Sequence, residues 1–198
     1  MDMALYRLIQ HWAGELDGVF TLPDLRVVLG DRTEAAMYKR VASLLRAGVL
    51  LKVKAGLYAI PEADLAVVSS RIDPEAYIST GAILARAALI GSVPVGRVQA
   101  VKRGRPRTYR CKLGTIEHLS ISPRLYFGFE SADGVRRATV EKAFLDVCYY
   151  TYRGQQFSFD PATDVSVADL DRQRIEQYLA CYDPRFVRYF ARIWGDRW

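Results

Sequence analysis

The chain has few of the residues that build metal centres and disulfide frameworks. Its three cysteines, Cys111, Cys148 and Cys181, lie far apart and form no CxxC pair, and there are only two histidines, His11 and His118. That spacing excludes an ordinary zinc site and a secreted disulfide scaffold, so the thiols are expected to be reduced in a cytoplasmic protein. No run of about 18 apolar residues occurs, so no membrane span is expected. Met1-Asp2-Met3-Ala4 lacks the basic-then-apolar order of a secretory signal, and none is expected. There is no Gly-rich phosphate loop, no HExxH and no GxSxG. Neither histidine has an evident partner in its sequence neighbourhood. We expect no cofactor, no metal, no catalytic residue and no enzyme.

What is present is enough apolar material for one or two domains: 198 residues, 51% of them hydrophobic. The net charge of +6 is unevenly placed. Residues 1–60 carry +2, residues 61–96 carry −2 and residues 113–198 carry −1, whereas residues 97–112 carry seven Lys/Arg and no acid. One sixteen-residue window therefore holds more than the whole excess. Such concentration points to an anionic partner, nucleic acid being the commonest. A solvated basic hairpin with no partner has the same letters.

The first third reads as three helices and a hairpin. Leu5, Leu8, Ile9 and Trp12 have the i, i+3, i+4, i+7 spacing of a helix with one buried face. Gly14 and Gly18 end it. Thr21 and Asp24 form a capping box, with Phe20 and Leu25 at the two positions of a hydrophobic staple. Pro23 sits harmlessly in the first turn, and Gly30 closes this second helix after Leu29. After Gly30-Asp31-Arg32 a third helix starts at Asp31 or Thr33, buries Met37, Val41, Leu44 and Leu45, and stops at Gly48. Val49–Val53 and Leu57–Ile60 read as strands around Lys54-Ala55-Gly56.

That order is a winged helix-turn-helix over residues 1–60, whose expected partner is duplex DNA. The third helix would enter the major groove with Thr33, Ala35, Ala36, Tyr38 and Lys39 near base edges. Arg40 and Arg46 would meet phosphates, and the wing would add Lys52 and Lys54. Phosphate contacts give affinity and register; base contacts give specificity. Glu34 opposes phosphates, and a protein-interaction module remains the alternative.

Residues 61–198 read as a mixed α/β domain ending in helices, so the chain as a whole is α+β. Ala63–Ser70 is a short helix, Asp73-Pro74 a turn, and Ser79 a cap for a helix with Ile83, Leu84 and Ala87. Strands are expected at Val93–Val101, Thr108–Leu113 and Thr115–Ile121, with a turn at Leu113-Gly114. A further strand at Tyr126–Phe129 and a turn at Asp133-Gly134 follow. Lys102-Arg103-Gly104-Arg105-Pro106-Arg107 would then cap a basic β-hairpin over 97–112. Its Arg-Gly-Arg-Pro core resembles an AT-hook, a thin chain whose arginines lie in a narrow minor groove. A hairpin tip with exposed arginines fits equally well. We take Lys102, Arg103, Arg105 and Arg107 as candidate DNA contacts.

Thr139 opens a helix through Tyr152, apolar on most sides and expected at the centre of this domain. Its polar strip is Glu141, Lys142 and Asp146. Adjacent Glu and Lys point about 100° apart on a helix, which is not a nuclease arrangement. Lys142 and Asp146 read as an i, i+4 surface pair. Ser166 and Asp169 would cap one more helix, and Asp183-Pro184 the last, with Phe186, Phe190, Ile193 and Trp194 inward. Trp198 ends the chain.

The order of these features resembles the AbiEi family of antitoxins, from type IV abortive-infection toxin–antitoxin systems. The carriers are Phe20-Thr21-Leu22-Pro23-Asp24-Leu25 through Leu44-Leu45-Arg46-Ala47-Gly48 to Gly56-Leu57-Tyr58, then Tyr77-Ile78-Ser79, then Glu141-Lys142-Ala143-Phe144-Leu145-Asp146. The resemblance implies an autorepressor that binds repeats in its own promoter. It also implies a C-terminal domain that opposes a nucleotidyltransferase-like toxin, with no stable complex required. A winged-helix regulator without a toxin is the alternative. The Arg-Gly-Arg-Pro core is not part of the resemblance, nor is the tail beyond Gly154.

Overall fold

A computed structural model describes residues 3–31, 33–91 and 95–195. Among these the chain is α+β, with eight α-helices and two sheets. None of the helices is long and apolar enough to cross a membrane.

The first unit comprises α1 (Met3–Glu15), β1 (Val19–Thr21), α2 (Leu22–Leu29), α3 (Glu34–Arg46), β2 (Leu51–Lys54) and β3 (Leu57–Ala59). α1 runs through Gly14, which was expected to end it, to Glu15; the caps of the next two helices act as expected. The Thr21 hydroxyl accepts from the Asp24 amide at 3.3 Å, and the Thr21 amide donates to Asp24 Oδ2 at 2.8 Å. Thr33 caps α3 by accepting from the Ala36 amide at 3.2 Å. Arg32, in the connection, lies outside the described residues. Ile9, Phe20, Leu25, Met37, Val41, Leu44 and Leu50 close one core.

The sequence pattern missed β1, three residues being too short to show a period. It makes the sheet three-stranded, in the antiparallel order β1-β3-β2. Successive strand residues face opposite ways. Phe20 and Tyr58 join the helical core, whereas Val19, Leu57 and Ala59 join the core of the rest of the molecule. One hydrophobic cluster thus lies wholly within residues 1–60, and the small sheet contributes to both clusters.

The second unit is built on a six-stranded sheet of β4 (Tyr77–Ile78), β5 (Arg97–Lys102), β6 (Arg107–Cys111), β7 (Gly114–Ser120), β8 (Phe129–Ala132) and β9 (Val135–Ala138). The order is β6-β7-β5-β4-β9-β8. β5 runs parallel to β7 from Arg97↔Thr115 to Lys102↔Ser120, and β6 pairs antiparallel with β7. The expected basic hairpin over 97–112 is therefore wrong. β7 lies between its two arms, and residues 103–106 cross over it. The reason is burial: Val98, Ala100 and Val101 are enclosed, so β5 needs ladder partners on both edges. The tight hairpin is β6–β7. Gly114 (φ 149°) closes it, and a Cβ there would lie 2.1 Å from the Gly96 carbonyl oxygen.

Other expectations shift. Val93 lies outside the described residues, and the strand assigned from it begins at Arg97. The strand expected at Tyr126–Phe129 begins only at Phe129, as β8; a 3-10 turn, Pro123–Leu125, precedes it. Asp133 and Gly134, both at positive φ, make the expected β8–β9 turn. Tyr77–Ile78 is a central strand, though its two residues lie in a stretch read as helices and turns.

Helices cover both faces of this sheet. α4 (Leu65–Ile72) lies on one: its Ser69 bonds His118 on β7. α6 (Val140–Tyr152) lies on the other: Tyr77 of β4 bonds its Asp146. Registers agree, because Ile78, Ala100 and His118 share one face and Tyr77 and Val101 the opposite one. α5 (Gly81–Arg86), α7 (Arg172–Leu179) and α8 (Pro184–Trp194) complete the α6 side. Thr80, not Ser79, occupies the cap position of α5. Asp171 caps α7 in place of the expected Ser166–Asp169 box, and Asp183 caps α8 as expected.

Candidate nucleic-acid interface

Helix α3 buries Met37, Val41 and Leu44 and turns the rest of its circumference outward. Ala35, Lys39 and Arg46 are exposed, and Tyr38 is 48% exposed, unusual for a ring of that size. Thr33 is exposed too, but its hydroxyl oxygen is occupied as the helix cap. Lys39 and Arg46 make no ion pair with a described residue. They border a 650 Å³ groove between α1 and α3, lined also by Leu8, Arg40 and Ser43. On the neighbouring hairpin Lys52 and Lys54 point outward, while Val53 between them is buried. β6 runs beside β2, so the basic crossover and this hairpin form adjoining surface.

Arg40 has a different job from the one expected. Its Nε meets Asp31 Oδ1 at 3.3 Å, and its Nη1 donates to the Leu29 carbonyl at 3.2 Å. It ties α3 to the end of α2 and fixes the angle between them.

The sixteen-residue basic window is partly neutralised from elsewhere in the chain. Arg97 holds Glu117 at 2.7 and 2.8 Å. Lys102 pairs with Asp73. Arg103 grips both oxygens of Glu75 at 2.8–2.9 Å and lies 4.8 Å over the Tyr126 ring. Burial works to raise the Asp73 carboxyl, yet Lys102 and the Glu75 amide outweigh it and hold it below its ordinary value. Arg105, Arg107, Arg110 and Lys112 keep no ion pair with a described residue. Arg107 rests 5.4 Å from the Tyr109 ring centroid. The free charge is therefore concentrated on the second half of the crossover and on β6, not on Lys102 and Arg103.

The polar strip of α6 is where the sequence misled most. Lys142 and Asp146 are not a surface pair; both are fully buried. Lys142 Nζ contacts Asp146 Oδ1 and donates to Tyr182 Oη at 3.2 Å. Asp146 Oδ2 accepts from Ser79 Oγ at 2.7 Å and Tyr77 Oη at 3.1 Å. Rings of Phe127, Tyr77 and Tyr182 surround the ammonium at 5.2–5.7 Å. Burial, reinforced by the Asp146 charge, pushes the Tyr77 and Tyr182 hydroxyls well above the usual tyrosine range, so both stay protonated, Tyr77 donating to Asp146 and Tyr182 accepting from Lys142. The i, i+4 spacing announced the pair. Nothing local announced that a strand and a helix tail would cover it. Among the described residues no group of three or more His, Cys, Asp or Glu is placed to hold a metal.

Comparison with models of known protein families finds no match, and comparison with curated proteins finds none either.

Proposed function

We propose that the chain is a DNA-binding transcriptional regulator whose residues 1–60 form a winged helix-turn-helix. The observation that carries the reading is that α3 and the β2–β3 hairpin, which share one hydrophobic core, both turn basic side chains to solvent. There Lys39, Arg46, Lys52 and Lys54 are exposed beside Ala35 and Tyr38, next to the unpaired Arg105 and Arg107. α3 is the recognition helix and β2–β3 the wing. Ala35 and Tyr38 lie nearest base edges, while Lys39, Arg46 and the wing lysines take phosphates. Arg105 and Arg107 extend the phosphate track beyond the wing.

The resemblance to AbiEi antitoxins supports a more particular reading: a cytoplasmic autorepressor whose second unit opposes a nucleotidyltransferase-like toxin. The motif Glu141–Asp146 that carries the resemblance forms the buried centre of that unit, so its role there is to hold the fold together. The test is binding of the whole chain to its own upstream DNA against scrambled DNA across a salt series. Preference for the upstream sequence, weakening as salt rises, supports the regulator. Equal and weak binding to both sequences overturns it. Growth rescue on co-expression with an adjacent nucleotidyltransferase frame tests the antitoxin half.

A further inference from the structure

Among the described residues the most amphipathic helix is α8, and its polar side is entirely basic. Phe186, Phe190 and Trp194 are buried against Phe144 and Tyr149. The outward side presents Pro184, Arg185, Arg188, Ala191 and Arg192, all exposed. At about 100° per residue the three arginines fall within an arc of about 60°, spaced about 4.5 and 6 Å along the axis. None forms an ion pair with a described residue; Arg192 lies over the half-buried Tyr189 ring at 5.8 Å. Helix α7 next to it handles its arginines differently, since Arg172 meets Glu176 and Arg174 meets Glu141.

We propose that this face of α8 is a second phosphate-backbone surface, which captures a segment of duplex DNA separate from the one under α3. Three facts select the occupant. All three residues are arginine, whose planar fork suits phosphate oxygens. On this face Pro184 and Ala191 are exposed, and the neighbouring Tyr189 ring is half-buried and lies under Arg192, so little ring is open for an unpaired base to stack on and a single strand gains little there. The apolar side of α8 is consumed by the core, so the helix has nothing to insert into a lipid surface. Position selects the separate segment. α8 lies outside α6, whereas the small sheet and α4 lie across the second sheet from it. The small sheet and α8 thus lie on opposite sides of the second sheet, which is why we assign them separate segments of duplex. The choice of DNA rests on the regulator reading; the face itself does not.

The experiment counts how many short mixed-sequence duplexes the whole chain binds at low salt, by sedimentation with a fluorescent duplex. Wild type is expected to take two. Replacement of Arg185, Arg188 and Arg192 by Gln should leave one and weaken uptake of the second at least tenfold, with the circular dichroism and melting curve unchanged. Replacement of the same three by Lys keeps the charge and should keep most of the second uptake. The proposal is overturned if the glutamine variant still binds two, if wild type binds one and that variant retains it, or if an RNA duplex displaces the second DNA better than DNA does. A variant with Lys39, Lys52 and Lys54 changed to Gln separates the two readings. If it binds as wild type does, the α3 assignment fails while the α8 result stands on its own.

Discussion

The crossover 102–107 and the middle turn of α6 carry similar charged side chains to opposite ends. In the crossover, cations are paired at one end and left open at the other: Lys102 and Arg103 hold Asp73 and Glu75, whereas Arg105 and Arg107 face solvent without a carboxylate. In α6 one cation and one anion are removed from water altogether, and every remaining contact is a hydroxyl or a ring. Charge in water is available to a polyanion but adds little to stability. Charge in the interior is unavailable to any partner, and removing half of it leaves the other half uncompensated. A residue's charge thus says little about its role until its burial is known.

The sharpest way to break that comparison is to truncate one partner of the α6 pair. Asp146→Ala leaves Lys142 buried without an anion and also frees the Ser79 and Tyr77 hydroxyls. The expected loss is about 3–5 kcal/mol of unfolding free energy, which urea titration reads. The double replacement Lys142→Met with Asp146→Leu should be less damaging than Asp146→Ala, because no lone charge remains. A wild-type midpoint for Asp146→Ala would show that the pair does not hold the unit together.

His118 gives an intermediate case and a pH signature. It is 1% exposed, with Nε2 at 2.9 Å from Ser69 Oγ, and Nδ1 has no partner among the described residues. Burial, opposed by Asp73 and aided by Lys102, holds its pKa down at about 4 against 6.5 for the free side chain. Between those values the unfolded chain binds a proton that the folded chain excludes. Its contribution is therefore full above 6.5, declines as the pH falls, and levels off below about 4. The loss across the window is on the order of 2 kcal/mol after allowance for solvent screening. Comparing wild type with His118→Gln at each pH isolates it from nearby carboxylates. Parallel curves would remove the imidazole from the account.

Reading the sequence succeeded where the determining contacts are local. The Thr21–Asp24 box, the Gly30 and Gly48 stops, the buried stripe of α3, the Asp133-Gly134 turn and the Thr139 and Asp183 caps each depend on residues within four positions, and all are present. It failed where partners are distant in sequence. β4 has two residues and becomes a strand only because β5 and β9 flank it. The ladder between β5 and β7 skips the intervening strand, so the hairpin expected at 97–112 had no local signal against it. Ser79 looked like a helix cap because nothing nearby shows Asp146, sixty-seven positions later, as its acceptor. At the candidate interface, the exposed positions on α3 and the β2–β3 hairpin were legible from periodicity. The neutralisation of Arg40, Lys102 and Arg103 was not, since for the two crossover cations the carboxylates lie on another segment.

Within the crossover itself the smallest effect is also the most discriminating. Arg105→Gln with Arg107→Gln should leave the unfolding midpoint unchanged. Where these side chains contact phosphates, the pair of changes should flatten the log–log salt dependence of DNA affinity by about 0.9 for each lost contact. Lys102→Gln should do the reverse. It removes the ion-pair partner of the half-buried Asp73, so stability falls while the salt slope stays where it was. If Lys102→Gln flattens the slope by as much as one lost arginine contact does, the Asp73 pair opens on binding, and the division between structural and available charge runs through Arg103 instead. If neither alters the slope, the crossover is a solvated loop whose arginines meet no phosphate, and the proposed DNA contact falls to α3 and the β2–β3 hairpin.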